Sequence, residues 1–169
     1  MKLFIRIVLG VILLAGLAAI PLTSQAQFFV MENPLLNNKA PEFTLTNAKG
    51  DKSSLKDIRN NQPSIVFFWA TWCPHCREQL KELNQSKTEI EKKGIKVILI
   101  DVGENANQVN QYITKNKVQY DVWLDQDSQV GQDYGVVGVP SFFFLNKDGI
   151  VKAVEHFLPD EYEKILMEK

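Results

Sequence analysis

The chain has 169 residues, 45% hydrophobic and 23% charged, with a formal net charge of −1. Such a chain can bury an ordinary core within one domain. The near-neutral balance, with no basic clusters interleaved with aromatics, argues against a nucleic-acid partner.

Residues 1–26 read as a targeting segment. Lys2 and Arg6 form a basic start, Ile7 to Ile20 is apolar and uncharged, and Ser24-Gln25-Ala26 offers the small residues a signal peptidase reads. Cleavage is expected before Gln27. An uncleaved anchor made by residues 1–22 stays open, because Pro21-Leu22 extends a run that is otherwise short for a membrane span. No cysteine follows the run, which excludes a lipoprotein anchor. Either route places the remainder in the periplasm or another extracytoplasmic space. Removal of the segment takes Lys2 and Arg6 and no acid, moving the net charge from −1 to −3.

Residues 27–39 read as a poorly ordered lead-in, and residues 40–169 as the folded domain. Pro41 to Leu45 alternates like a half-buried strand. Asn47 to Asp51 is a turn, Lys52 to Leu55 a return strand, and Ser54 to Asp57 can cap one helical turn. Asn60 to Pro63 is a loop. Ser64 to Trp69 is the continuous apolar run of a strand buried on both faces.

The helix after Cys73 is expected to reach about Lys93, with Cys76, Leu80, Leu83 and Ile90 on one face and Gly94 as its stop. Ile95 to Val102 is a second buried strand. Asn105 caps a helix to about Asn116, with Val109, Tyr112 and Ile113 inward. Tyr120 to Leu124 is a short strand, and a short helix ends near Gly135. Ser141 to Leu145 and Ile150 to Glu155 form a hairpin around Asn146 to Gly149. Pro159 opens a terminal helix with Asp160, Glu161 and Glu163 in its first turns, and Ile165 and Leu166 dock on the sheet. Strands alternating with helices and closing on a hairpin give an α/β sandwich with a mixed central sheet.

Cys73 and Cys76 are the only cysteines. A two-cysteine chain is no disulfide framework, and a bridge across so short a loop constrains the unfolded chain little. Cys73 falls at a strand-to-helix turn, where unpaired N–H groups and the helix dipole stabilise a thiolate. Pro74 suits the first helical turn. Cys73 is expected at the exposed tip and Cys76 on the inward side. Trp69 and Trp72 read as packing and cover, the Phe142-Phe143-Phe144 run as core, and His156 as a surface residue.

The run Phe68-Trp69-Ala70-Thr71-Trp72-Cys73-Pro74-His75-Cys76, followed by Val139-Pro140 and the hairpin Phe142 to Val151, resembles the thioredoxin superfamily. Ala40 to Leu45, the paired Asn47–Leu55 segment and the strand–helix unit at Ile95–Asn116 resemble the exported TlpA/ResA/CcmG group. The resemblance covers about residues 40–169. It implies a thioredoxin-like fold with an N-terminal β-hairpin and a central strand–helix insertion. It also implies a monomeric thiol–disulfide oxidoreductase that needs no cofactor or metal beyond its own cysteine pair. Cys73 would be the nucleophile and Cys76 the resolving thiol. Val139-Pro140 would be the cis-proline turn that lines the substrate groove. The partners implied are protein thiols and disulfides, with a membrane thiol donor for electrons.

Direction stays open. The group resemblance favours a disulfide reductase, with apocytochrome c cysteines as a substrate class. Pro74-His75 is also the dipeptide of the DsbA oxidases, and an imidazole beside Cys73 would stabilise its thiolate, raising the potential. Thioredoxins hold a buried acid six residues before the first cysteine, where this chain has Phe67. The ResA/CcmG type often carries an acid where this chain has Gln79. Glu78 and Glu104 are the candidate proton acceptors for Cys76 that remain. A Cu(I)-binding chaperone module is the reading from another class, because a dithiol with His75 suits that ion.

Overall fold

The computed structural model describes residues 33–167. The expected targeting segment and residues 27–32 lie outside them. Strands β1 (Thr44–Asn47) and β2 (Lys52–Ser54) lead to helix α1 (Leu55–Arg59). Then come β3 (Ser64–Trp69), α2 (Pro74–Lys92), β4 (Lys96–Val102) and α3 (Ala106–Asn116). Strand β5 (Val122–Asp125), helix α4 (Gln129–Asp133), the hairpin β6 (Ser141–Leu145) and β7 (Val151–Glu155), and α5 (Tyr162–Met167) follow.

The strands form one mixed sheet in the order β2-β1-β5-β4-β3-β6-β7. Strand β3 is central, parallel to β4 and antiparallel to β6. Every residue of β3 is buried, as its unbroken apolar run requires. Its alternate side chains feed two cores. Ile65, Phe67 and Trp69 pack with the buried residues of α2, α3 and α5. Val66 and Phe68 pack with Leu55 of α1 and with Val130 and Tyr134 around α4. Phe67 stacks on Phe142 with ring centroids 4.1 Å apart.

The caps explain the helix limits. Ser54 Oγ accepts from Asp57 N at 3.2 Å, and Asn105 Oδ1 accepts from Gln108 N at 3.0 Å, each satisfying an otherwise unpaired donor. Helix α2 buries Cys76, Leu80, Leu83 and Ile90, the face expected from spacing. It stops before Gly94, whose φ of +70° suits glycine.

Four elements differ from the sequence reading. Strand β1 is Thr44–Asn47 rather than Pro41 to Leu45, because Thr46 and Asn47 pair with Leu124 and Trp123 of β5. Residues 33–39 are pinned rather than poorly ordered: Asn37 N donates to Val151 O and Val151 N to Asn38 O, at 2.8 and 2.9 Å. The segment adds to the open edge of β7, with Leu35 against the second core. Strand β5 begins two residues late, because Tyr120 turns out of the sheet to donate its hydroxyl to Leu83 O at 2.9 Å. Helix α5 begins at Tyr162; Pro159 to Glu161 form a turn, leaving Glu163 as the acid of the first helical turn.

Arg59 locks the β6–β7 turn from beneath. Its buried guanidinium donates to Asn146 O at 2.7 Å and Lys147 O at 3.1 Å. Gly149 sits above it with φ +82°, and a Cβ there would meet Arg59 Nη1 at 2.6 Å. Left-handed backbone alone costs a non-glycine residue about 1–2 kcal/mol. Gly149→Ala is therefore expected to lose about 2 kcal/mol or more in urea unfolding. A wild-type midpoint for the variant would refute this account of the turn.

Candidate active site

The site stands where β3 hands over to α2. Ala70, Thr71 and Trp72 make the turn, closed by Cys73 N donating to Ala70 O at 3.2 Å. Cys73 is the N-cap of α2, with extended backbone, and its Sγ accepts from Cys76 N at 3.2 Å. The sulfur thus holds the place usually taken by a capping oxygen. No acid occupies the first turn of α2, so nothing there offsets the positive helix end. Cys73 and Cys76 are joined as a disulfide. Cys76 is fully buried, as expected. Cys73 is only 3% exposed, so the expected exposed tip is instead a sulfur set almost flush with the surface. Trp72 is 67% exposed and stands clear of the core, whereas Trp69 is the packing tryptophan.

The turn before β6 completes one wall. The Val139–Pro140 peptide is cis, and Val139 O lies 3.7 Å from Cys73 Sγ. Ser141 Oγ donates to Gly138 O at 2.7 Å. His156, read as a plain surface residue, contacts Pro140 O through Nδ1 at 2.8 Å. A carbonyl only accepts, so Nδ1 is the protonated nitrogen. Two residues on, Leu158 N donates to Gln79 Oε1 at 2.5 Å. The chain beyond β7 is thereby tied to the proline turn and to α2. Gln79, at the position where the resemblance expected an acid, does backbone work.

His75 lies beside a carboxylate. Its Nδ1 lies 3.5 Å from Glu78 Oε2, with both side chains largely in solvent. Glu78 is thereby also turned outward, away from Cys76. Glu104 is buried and braces the turn: Oε2 accepts from Thr71 N at 2.5 Å and Oε1 from Thr71 Oγ1 at 2.7 Å. Both of its oxygens are engaged by Thr71 rather than by a thiol.

Asp101 was missed by sequence reasoning. It ends the apolar run of β4, is fully buried, and pairs in register with Trp69. Burial first, and then the neighbouring Glu104 carboxylate, push the Asp101 carboxyl up to about 8. Burial likewise raises Asp125, whose carboxylate accepts from Val130 N and Gly131 N at the start of α4. The one available signal for Asp101 was an acid inside an otherwise apolar strand. For His156 the sequence carried none.

The arrangement is a disulfide on a helix N-terminus beside a cis-proline wall, carried by a central β3. A model of the AhpC/TSA family matches residues 36–154. The chain belongs to the AhpC/TSA family. It is 31% identical over 145 residues to the thiol-disulfide oxidoreductase ResA of Geobacillus thermodenitrificans, covering 85% of this chain and 83% of that protein. It is 28% identical over 142 residues to ResA of Bacillus thuringiensis subsp. konkukian, covering 83% and 82%. Among solved structures, a protein from Chlorobium tepidum described as thiol:disulfide interchange protein DsbE superposes with a TM-score of 0.68 at 26% identity. It covers 77% of this chain and 92% of that one. This AhpC/TSA family member is thus a thiol–disulfide oxidoreductase with the thioredoxin-like fold, of the TlpA/ResA/CcmG type.

Two outcomes follow for its acids. Hydrogen bonds to a charged acceptor contribute about 1.5–3 kcal/mol. Glu104→Ala is expected to lose stability on that scale and to speed exchange of the Thr71 amide, while Glu104→Gln retains part of the protection. Unchanged Thr71 exchange in the alanine variant would remove Glu104 from the turn. Separately, the folded protein keeps a proton on Asp101 that the unfolded chain releases near its ordinary value of 3.8. The resulting stabilisation is complete below about pH 4 and is lost as pH rises through about 8. Asp101→Asn is expected to flatten that slope in unfolding curves. An equal slope in both proteins would mean the carboxyl is ionised throughout.

Proposed function

We propose that this chain is an exported disulfide reductase that works on cysteines of other extracytoplasmic proteins. The observation that carries the reading is the placement of Cys73 Sγ at the N-cap of α2, accepting from Cys76 N and facing Val139 O. A thiolate there is stabilised by the helix end, and an extended polypeptide can lie along the Val139–Pro140 wall.

The rim supports a protein substrate. Four large hydrophobic residues stand exposed among the described residues: Trp72 (67%), Val137 (95%), Phe157 (55%) and Met167 (57%). Trp72 adjoins Cys73, Val137 precedes the proline turn by two residues, and Phe157 follows His156. An apolar rim around a reactive sulfur suits a partner that presents its cysteine among apolar side chains.

In the reduced protein, Cys73 thiolate attacks one sulfur of a substrate disulfide. The Cys73–substrate bond forms and the other substrate sulfur leaves as thiolate. Cys76, after losing its proton, attacks Cys73 Sγ, and the first substrate sulfur leaves in turn. Two electrons pass to the substrate and the Cys73–Cys76 bond remains. No cofactor enters the cycle. A dithiol donor in the membrane restores the thiols, and the segment at residues 1–26 delivers or anchors a monomer on that side. Apocytochrome c cysteines are the substrate class that the resemblance to the TlpA/ResA/CcmG group suggests.

The oxidase alternative drew on an imidazole beside the sulfur, and His75 pairs with Glu78 instead. Cys73→Ser is expected to abolish reduction of insulin by dithiothreitol, and Cys76→Ser to accumulate mixed disulfides. Faster alkylation of Cys76 than of Cys73 at neutral pH would reverse the roles. A potential at or below about −220 mV by glutathione equilibration fits the reductase, while one near about −120 mV would restore the oxidase.

A further inference from the structure

Among the described residues, three buried side-chain N or O atoms lack a hydrogen-bond partner: Trp69 Nε1 and both oxygens of Asp101. All belong to one cross-strand pair, because Trp69 and Asp101 are register partners on β3 and β4. Such partners share a face of the sheet. Trp69 belongs to the same buried cluster as Cys73 and Cys76. Asp101 therefore lies on the face that carries the sulfur pair, one strand over from Phe67.

A carboxyl held without a partner in the interior is costly. Asp125 repays its burial by capping α4, and Glu104 by bracing Thr71. Asp101 makes no ion pair, and the charged group acting on it most strongly is another acid, Glu104.

We propose that Asp101 couples proton uptake to the redox state of the Cys73–Cys76 pair. The proposal rests on the thiol–disulfide reading above. A Cys73 thiolate and an Asp101 carboxylate on one buried face repel each other, and weak screening there lengthens the reach of that repulsion. The effect is reciprocal: the thiolate holds a proton on Asp101, and an ionised Asp101 disfavours the thiolate. In the disulfide form the carboxyl releases its proton at about pH 8; in the reduced form it does so higher.

Between those two values, reduction by glutathione runs as follows. Two glutathione thiols become one disulfide and deliver two electrons and two protons. The Cys73–Cys76 bond breaks, Cys76 takes one proton, Asp101 takes the other, and Cys73 remains the thiolate.

The groups facing Asp101 come from every neighbouring element. Glu104 follows on its own strand end, and Asp125, on the opposite face at the end of β5, acts on it through the sheet. The sulfur pair comes from the start of α2. Tyr112 of α3 tilts against Trp69 at 5.4 Å, with Arg77 of α2 acting on it. Asp101 is a positioning residue, setting the charge against which the thiolate forms.

The test is glutathione equilibration of the full chain and of Asp101→Asn from pH 6 to pH 10. Equal equilibrium constants are expected at pH 6, where Asp101 is neutral. Above its titration, the wild type is expected to favour the disulfide about tenfold more than the variant, which is about 30 mV for a two-electron couple. Parallel curves across the whole range would overturn the coupling. A second readout needs no variant: the Asp101 carboxyl carbon is followed by NMR in the oxidised and the reduced wild type. Its midpoint is expected to rise on reduction, and equal midpoints would refute the proposal even if Asp101→Asn fails to fold. If the wild type does not exchange with glutathione at all, the thiol–disulfide reading itself falls, and the coupling with it. If it exchanges along curves parallel to the variant's, only the coupling falls.

Discussion

The site depends on one hydrogen bond, donated by Cys76 N to Cys73 Sγ. It puts a sulfur where a helix start normally wants an oxygen, so the capping demand of the backbone and the acidity demand of the chemistry fall on the same atom. That bond is held from both sides. Strand β3 behind it is buried on both faces, and burial of each large side chain there contributes about 1.5–3 kcal/mol before entropy is counted. Helix α2 ahead of it is seated by Leu80, Leu83 and Ile90. The three-residue turn between them has little freedom, and Glu104 removes more of it by gripping both the amide and the hydroxyl of Thr71.

Charge around the sulfur pair is arranged by sheet edge rather than by helix. The first turn of α2 carries no acid, and the Glu78 carboxylate pairs with His75 in water, where screening weakens it. The acids that matter lie beneath, at the ends of β4 and β5. Asp125 and Glu104 are tied to backbone donors. Asp101 has the Glu104 carboxylate as its nearest charged neighbour, and it lies on the sheet face of the cluster that holds both sulfurs. Phe67 leaves the central strand without an acid, and the neighbouring strand supplies one.

The groove wall is assembled from distant pieces. Val139 and Pro140 come from the approach to β6, while His156 and Leu158, beyond β7, tie that wall to Gln79 on α2. These last two residues lie just past the stretch matched by the family model, residues 36–154. Trp72, Val137 and Phe157 are exposed and adjoin Cys73, the proline turn and His156 in sequence.

Local patterns were legible in the sequence wherever one element settled the matter. The unbroken apolar run Ser64 to Trp69 could only be a strand covered on both faces. The spacing of Cys76, Leu80, Leu83 and Ile90 gave the inner face of α2, and Asn105 gave the start of α3. The Cys-Pro-His-Cys turn, with Val139-Pro140 downstream, carried the chemistry and the fold. What stayed hidden depended on contacts across long separations. Residues 33–39 are ordered because β7 offers an open edge, which no local composition reveals. His75 turns outward and Glu104 inward because of their partners, Glu78 and Thr71. The strand, the helix and the cysteine pair were readable along the chain, because they follow from periodicity and from residue types at fixed spacing. Which acid shares the sheet face of the sulfur cluster follows from the register between β3 and β4, which sets Asp101 against Trp69, and no spacing along the chain encodes that pairing.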